Sequence, residues 1–467
     1  MPLHQPGGSG RTKAGRSLPK SVVSLTLFLL SFISFTNQPG YAIPAFARKY
    51  GLPCSACHIG WPILNNFGLA FKDNGYQLGN DKDSPIYQNP AYFPITFRVT
   101  PQWHLENQTK VLIDQTGVEQ SVTTHGFDLS GLDIWTAGTL YKNISFQVLP
   151  SMGEGDTFHF ESAWVRFDNL LNSPWLNVKV GKFELDNLLS EKRFLTLSNV
   201  GGAWFNYHFL PQGDSNGFGG IGDNQLGVEL AGHNQNSYSR YSIALLSSVD
   251  GNPGLTTTNA GAAAGSTART YDVFANVNQG FAVKGLGVQR IGAYGYFGQS
   301  PTFYLTSNGA PVEAKGNRSF SRVGAYGWWF IKDFDVETFY MHGQDNVYLG
   351  NNIPANNPGG LPPGAVGPTW NGGFVEAHYT VNPQFIFTGR YELVHMSRQA
   401  NPTLAQTPNL GNVDSWTIGY RWYPIMLSRA GLAVHNEYSQ AKMGNTSSLT
   451  GTDQINRSVM IGFDFDY

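Results

Sequence analysis

The chain has 467 residues, but only 13% of them are charged, against about 25% in typical soluble proteins. Mean hydropathy is −0.24, which excludes a bundle of apolar membrane helices, and the formal net charge of −2 offers no electrostatic basis for binding nucleic acid. Glycine (55 residues) and aromatic residues (14%) are abundant. This combination is typical of a transmembrane β-barrel, in which lipid-facing and lumen-facing side chains alternate along each strand.

Residues 1–42 have the organisation of a secretory signal peptide. Basic residues precede an apolar run at 22–35, and Gly40-Tyr41-Ala42 supplies small residues for cleavage after Ala42. The run is short for a bilayer span, although an uncleaved anchor is the competing interpretation. Export would place the rest of the chain in an oxidising compartment.

The only two cysteines lie in the motif Cys54-Ser55-Ala56-Cys57-His58, which is the attachment signature of a c-type haem. In that chemistry Cys54 and Cys57 form thioether bonds to the haem vinyl groups, and His58 becomes an axial iron ligand. A redox dithiol would require a βαβ context, and a zinc site would require a further ligand close by in sequence. Neither is visible, so we predict one covalent haem c.

The segment 43–90 is predicted to be a small haem-bearing domain. Apolar residues recur at helical spacing at Ile63, Phe67, Ala70 and Phe71, which predicts a helix that starts near Pro62 and stops at Gly75. Its aromatic face either forms the core of a tiny domain or covers the haem. Such a unit is too small to bury a haem alone, so the remaining apolar wall would come from the barrel.

From about residue 91 the sequence alternates apolar and polar residues with the period of β-strands, most clearly at 95–100 and 416–423. We therefore predict an all-β transmembrane barrel of about sixteen antiparallel strands, apolar outside and polar inside, over residues 91–467. The predicted strands lie near 93–106, 131–141, 144–150, 158–168, 175–183, 224–233, 237–247, 270–278, 288–298, 320–331, 334–342, 373–381, 384–396, 414–423, 431–440 and 457–467.

The connections between these strands alternate in length, as they do in outer-membrane barrels with short periplasmic turns and long external loops. Short connections are predicted at 142–143, 234–236, 332–333 and 382–383. Long connections are predicted at 184–223, 248–269, 299–319, 343–372, 397–413 and 441–456.

The pattern around the haem motif is more specific than the motif itself. It comprises Ala42, Pro44 and Phe46-Ala47-Arg48 before the motif, and Pro62, Leu64, Phe67-Gly68, Phe71-Lys72 and Gly75-Tyr76 after it. On these residues the segment 42–76 resembles the fused outer-membrane cytochrome–porins, a monohaem c-type family that includes iron-oxidising outer-membrane cytochromes. The resemblance implies a bacterial outer-membrane protein whose haem domain plugs or caps a sixteen-stranded barrel. It also implies one-electron oxidation of extracellular Fe(II).

Further ligands of the haem are not fixed by the sequence. Strand parity puts four candidates for the distal iron ligand on lumen faces: His104, His378, His435 and Met460. The ordinary explanation of each is a residue that lines or packs the lumen. Arg48 either pairs with a haem propionate or is a surface charge. Charged residues of both signs are also predicted on lumen faces, where they form ion pairs across the wall or hold the haem domain: Arg98, Lys179, Glu229, Arg322, Asp335, Glu337, Glu376, Arg390, Glu392, Arg421 and Glu437.

Three functions fit these features. In the first, extracellular Fe(II) or another donor gives one electron to the haem, and a periplasmic cytochrome or similar soluble carrier accepts it. In the second, the barrel is a diffusion porin whose haem-bearing unit is a structural or gating plug. In the third, electrons flow outward to an extracellular acceptor.

Overall fold

The computed structural model describes residues 44–60, 62–78, 87, 94–113, 117–152, 158–186, 204–210, 214–215, 221, 224–247, 271–305, 311–345, 363–426, 430–446 and 451–466. The predicted signal peptide, its cleavage site and the predicted connection 248–269 lie outside these residues.

Sixteen antiparallel strands form a closed barrel, as the sequence predicts. Each strand pairs with its neighbours along the chain, with two exceptions. The strand Asn177–Phe183 pairs with Gln225–His233 across an inserted segment, and the last strand, Gln454–Asp466, closes the ring on the first, Ile95–Leu112. The strands are β3 (Ile95–Leu112), β4 (Glu119–Tyr141), β5 (Ile144–Met152), β6 (Phe158–Phe167), β7 (Asn177–Phe183), β10 (Gln225–His233), β11 (Ser239–Ser247), β12 (Tyr271–Val283), β13 (Gly287–Leu305), β14 (Pro311–Ile331), β15 (Phe334–Gln344), β16 (Thr369–Asn382), β17 (Phe385–Arg398), β18 (Val413–Met426), β19 (Gly431–Met443) and β20 (Gln454–Asp466).

The barrel is apolar outside and polar inside. On β11, Ile243 and Leu245 are 50% and 49% exposed, whereas Arg240, Ser242 and Ala244 between and beside them are buried. The same alternation recurs around the ring. A closed ring leaves no unpaired strand edge, and an apolar exterior matches lipid, so this is a barrel that spans the bacterial outer membrane.

Two hairpins extend further than the sequence predicts. β3 and β4 stay paired as far as Leu112 and Glu119, and β13 and β14 stay paired as far as Leu305 and Pro311, so the long connection predicted at 299–319 is wrong. No residue of 119–129 is buried. Beyond the bilayer a hairpin has no lipid-facing side, so apolar and polar residues no longer need to alternate there. The backbone pairing continues nevertheless.

The residues before the barrel form three short helices and a small hairpin. These are α1 (Pro44–Tyr50), α2 (Cys54–Cys57), the strand pair β1 (His58–Gly60) and β2 (Ile63–Leu64), and α3 (Asn66–Asp73). We call residues 44–78 the plug, because they contact the inner wall of the barrel as described below. No helix in the described part of the chain is long and apolar enough to cross a membrane.

The start of α3 differs from the prediction. The helix begins at Asn66 rather than near Pro62, because the side chain of Asn65 accepts a 2.9 Å hydrogen bond from the Gly68 N–H and acts as the N-cap. Ile63 is therefore in a strand, and Phe67, predicted on the apolar face, is 44% exposed.

The end of α3 agrees with the prediction. The N–H of Tyr76 donates to the Phe71 carbonyl at 3.0 Å, and the N–H of Gly75 donates to the Lys72 carbonyl at 3.2 Å. This Schellman closure needs a left-handed residue, which Gly75 supplies with φ of 74°.

The connection between β7 and β10, predicted as a long one at 184–223, has a described segment that contacts the lumen wall. It contains α4 (Trp204–His208), β8 (Phe209–Leu210) and β9 (Asp214–Ser215). The Asn206 backbone N–H donates to Glu392 Oε1 at 2.8 Å, and the Tyr207 ring lies 5.3 Å from that of Phe339. Because Glu392 and Phe339 are buried wall residues, this segment narrows the barrel interior.

Candidate functional site

The motif Cys54–His58 lies where a one-turn helix meets a short strand. Because α2 covers Cys54–Cys57, positions 54 and 57 lie on the same face of one helical turn, and His58 follows at the start of β1. The Cys57 thiol is free and half-buried, and its burial raises its pKa to about 11. The side chains of Cys54 and Arg48 lie outside the described part of the structure.

Two residues fix α3 against this motif. The Asn65 side-chain amide donates to the carbonyls of Ser55 and Ala56 at 3.2 and 2.9 Å, and its backbone N–H donates to the Cys57 carbonyl at 2.9 Å. Gly68 allows the close approach, because a Cβ at this position would lie 2.2 Å from the Cys57 carbonyl oxygen. The haem motif is therefore braced by the helix that follows it.

The substitution Gly68→Ala tests this bracing. Its methyl group would force α2 and α3 apart, and we expect the plug to lose about 1–3 kcal/mol of stability, the usual cost of overpacking. Gly126→Ala is the control, because a Cβ there meets nothing within 4 Å. Denaturant unfolding in detergent, followed by tryptophan fluorescence, measures both variants. Equal stability of the two proteins would contradict the close approach.

Aromatic rings join the plug to the barrel wall. The Phe46 ring stacks on that of Tyr76 at 5.3 Å and meets those of Phe71 and Trp135 edge-on at 5.0 and 6.3 Å. The Tyr76 ring also stacks on that of Trp164 at 6.3 Å. Trp135 and Trp164 belong to β4 and β6, so these contacts seat α1 and the end of α3 on the inner wall.

A buried ion pair fastens α3 to a further strand of the barrel wall, β11. Arg240 of β11 donates to both carboxylate oxygens of Asp73 at 2.8 Å and to Asp186 at 3.0 Å. Arg240 and Asp73 are only 5% and 6% exposed. Burial opposes the charge on Asp73, but the Arg240 guanidinium outweighs it and holds the Asp73 pKa well below its usual range.

Both ends of α3 also meet wall residues. Arg166 of β6 donates to the carbonyls of Lys72 and Asp73 at 2.9 and 3.0 Å, which satisfies the C-terminal end of the helix. Arg290 of β13 donates to the Asn66 side chain at 2.9 Å. Arg240 and Arg290 lie near the starts of β11 and β13, which follow the short connections 234–238 and 284–286, so the plug sits in the periplasmic mouth.

The predicted lumen charges do face inward: all are buried except the half-buried Arg98. Several pair along the wall, including Lys179 with Glu229 at 2.7 Å and Arg98 with Asp464 at 3.1 Å. These pairs agree with the prediction of a salt-bridged interior.

The residues that hold the plug by charge are ones that the sequence did not single out: Asp73, Arg166, Arg240 and Arg290. Strand parity marks the three arginines as inward-facing, and that signal could have found them. No local pattern pairs Asp73 with a residue that is far away in the chain.

His378 is the predicted distal-ligand candidate whose surroundings are clearest. It is fully buried, with Nδ1 2.6 Å from Asp335 and Nε2 2.5 Å from Glu376. Each ring nitrogen faces a carboxylate, and iron binding at either nitrogen would replace the proton between them. His378 therefore stays one of the predicted candidates for the distal ligand.

The other three distal candidates also lie on the barrel wall. His104 faces Asp128, with Nδ1 2.7 Å from its carboxylate, and His435 and Met460 are buried on β19 and β20. The distal ligand stays a prediction, with His104, His378, His435 and Met460 as its candidates.

No protein-family model and no curated protein matches the chain. It is similar to solved structures of outer-membrane proteins. These include OmpTΔL8 of Vibrio cholerae (12% identity, covering 80% of this chain and 99% of that one, TM-score 0.48). They also include the channel DcaP of Acinetobacter baumannii (11%, 80% and 97%, TM-score 0.49) and an anion-selective porin from Comamonas acidovorans (11%, 80% and 99%, TM-score 0.47). We draw no conclusion from likenesses this distant, since the strand pairing itself establishes the closed barrel.

Proposed function

We propose that this protein is an outer-membrane cytochrome of the fused cytochrome–porin type, with one covalent haem c on the plug. The observation that carries the proposal is the attachment of the segment containing Cys54-x-x-Cys57-His58 to the lumen wall by the buried pair Asp73–Arg240. A haem that is held inside a membrane barrel can exchange electrons within the membrane, which a soluble cytochrome cannot enter.

The donor set of the plug fits a c-type haem. Positions 54 and 57 share one helical turn, the Cys57 thiol is free, and Cys57 and His58 are half-buried rather than enclosed. Ile59 and Leu64, on either side of the β1–β2 turn, pack against the apolar core of the plug and barrel. Cys54 and Cys57 would hold the haem covalently, and His58 would ligate its iron.

When bound, the haem supplies a one-electron acceptor and donor. The residues of this chain position it: Asn65 and Gly68 brace the motif, while the Phe46–Phe71–Tyr76 rings and Arg240 hold the plug in the periplasmic mouth. The substrate that the family resemblance implies is extracellular Fe(II), which is oxidised to Fe(III) as its electron passes to a periplasmic cytochrome or similar carrier. The same haem and plug would also serve electron flow in the opposite direction, to an extracellular acceptor.

The second candidate is a diffusion porin whose haem-bearing plug gates or stabilises the pore. The sixteen-stranded barrel with its polar, charged wall favours this candidate directly, since such barrels are wide enough for a water-filled channel. The electron-transfer candidate requires, in addition, that a haem is attached to Cys54 and Cys57. The barrel fold carries no information about that attachment.

Single-channel recording in planar bilayers separates the two candidates. If the plug serves electron transfer, its many wall contacts keep the mouth closed, and we expect no steady conductance steps from the wild-type protein. A protein without residues 44–78 but with the complete barrel should then give steady open pores. Steady open pores from the wild type would contradict electron transfer as the barrel's main task and favour diffusion.

A further inference from the structure

A group of ionisable side chains lies on the lumen wall apart from the plug contacts. Asp335 and Glu337 alternate with outward-facing residues on β15, and Glu376 and His378 do so on β16. The strand register places Asp335 opposite His378, and Glu337 opposite Glu376. All four are buried, with exposed fractions of 3% or less. We call these four residues the wall cluster.

The ligand atoms of Asp335, Glu337 and His378 all lie within 4.8 Å of one another. Donors around one transition-metal ion, each at about 2.0–2.2 Å from it, are about 3–4 Å apart. Small rotamer shifts would therefore bring the three side chains to one ion. One imidazole and two carboxylates form a donor set that suits divalent first-row metals.

The charges in the wall cluster do not balance. Arg390 of β17 pairs with Glu376, and His378 lies between Glu376 and Asp335, which also accepts from the Trp328 indole at 3.4 Å. Glu337 lies opposite Glu376, an arrangement of like charges that destabilises a sheet. Three carboxylates thus face one guanidinium and at most one imidazolium.

Glu337 is the acidic residue of the wall cluster whose carboxyl group is least well compensated. Its Oε2 atom is buried and has no hydrogen-bond partner among the described residues. An unpaired buried carboxylate is costly, because it has lost its hydration without gaining a donor. It therefore points to a bound cation.

We propose that Asp335, Glu337 and His378 bind one divalent first-row transition-metal ion on the lumen wall. The ion takes the place of the proton between His378 Nδ1 and Asp335 and neutralises the two carboxylates. His378 keeps its other N–H donated to Glu376, which Arg390 anchors. A metal-bound histidine oriented by a carboxylate is a common second layer of metal sites.

The proposal does not rest on the haem. Fe(II) belongs to the class of ions that the donor set accepts, so the site would also give a ferrous substrate a place to bind in the lumen. A failure of metal binding would leave the proposed electron transfer untouched, because outer-sphere transfer needs no tight site.

The test is calorimetric titration of the full-length protein in detergent with Zn²⁺, with Mn²⁺ and, without oxygen, with Fe²⁺. We expect one site in the wild type and a loss of affinity of roughly tenfold or more in Glu337→Gln, which preserves the shape and removes the charge. Glu376→Gln should weaken binding by about 10- to 100-fold, as expected for a residue that orients a ligand.

Glu229→Gln is the matched control, because Glu229 is also a buried glutamate on the lumen wall but pairs with Lys179. It should bind the ions as the wild type does, and heat-modifiable mobility on gels checks that every variant forms a closed barrel. Absence of binding in the wild type would overturn the proposal, since the negative charge of Glu337 would then be neutralised by a proton and not by a metal ion. Equal binding by Glu337→Gln and the wild type would overturn it as well.

Discussion

The double variant Cys54→Ala/Cys57→Ala is expected to lose all covalently bound haem while it keeps its barrel. Both thioether bonds depend on these thiols, and the chain has no other cysteine to replace them. The protein should be produced in bacteria that carry out c-type haem maturation, and haem staining of denatured gels measures the covalent haem. We expect a stained band from the wild type and none from the variant.

The barrel provides the internal control for this result. Its ring of paired strands involves neither position, so the double variant should still show the heat-modifiable mobility of a closed barrel. A single His58→Ala variant should retain covalent haem but change its absorption spectrum, because an axial ligand is lost rather than an attachment point. If folded wild-type protein never stained for covalent haem, the result would contradict the proposal that this protein is a cytochrome.

Asp73→Asn is expected to loosen the plug more than any other single substitution in its helix. It removes the charged partner of Arg240 and leaves the guanidinium 5% exposed, with only Asp186 as a counter-charge. Breaking a buried ion pair on one side typically costs about 3–5 kcal/mol. Trp164 stacks on Tyr76 of the plug, so tryptophan fluorescence should report the release of the plug from the wall. We expect this release at a lower denaturant concentration in the variant than in the wild type.

The exposed pair Lys442–Asp453 provides the comparison. These side chains are 50% and 37% exposed, and a surface pair of this kind contributes at most about 1 kcal/mol. Asp453→Asn should therefore leave the unfolding curve nearly unchanged. If Asp73→Asn and Asp453→Asn had equally small effects, the Asp73–Arg240 pair would not be what holds the plug.

The pH dependence of plug docking follows from the same pair. The pKa of Asp73 is lowered in the folded protein, so its contribution to stability is complete above the ordinary aspartate pKa of about 4 and is lost as the pH falls towards the folded pKa. The charged or titratable groups that face it include Arg240, Asp186, His233, Arg166 and Arg290. Docking should be unchanged between about pH 7 and 5 and weaken below about pH 4, and Asp73→Asn should lack this step.

The barrel was predictable because its signal is local and repeated. At 95–100, for example, Phe97 is 43% exposed whereas Thr96 is 4% exposed, which is the alternation read from the sequence. The prediction failed where the physical cause of alternation stops: the hairpins that leave the bilayer keep their pairing but have no lipid-facing side. The start of α3 failed for a different reason, since the Asn65 cap overrode the helical spacing of Ile63.

The candidate site was predictable only in part. The motif Cys54–His58 is read directly from spacing, and several residues that carry the family resemblance turn out to build the plug, including Phe46, Gly68 and Tyr76. The pairing of Asp73 with Arg240 depends on how the folded plug sits in the ring, which no local pattern specifies. His378 illustrates the same limit: parity placed it correctly inside the lumen but did not reveal the two carboxylates around its ring.

Electron transfer across a membrane is the most direct test of the proposed function. The full-length protein, loaded with haem, is placed in sealed vesicles that enclose a soluble c-type cytochrome, and Fe²⁺ is added outside without oxygen. We predict that the enclosed cytochrome is reduced when the vesicles carry the wild type and stays oxidised when they carry Cys54→Ala/Cys57→Ala. Equal reduction with both proteins would mean that Fe²⁺ diffuses through an open pore, and no reduction with either would contradict oxidation of Fe(II) by this protein.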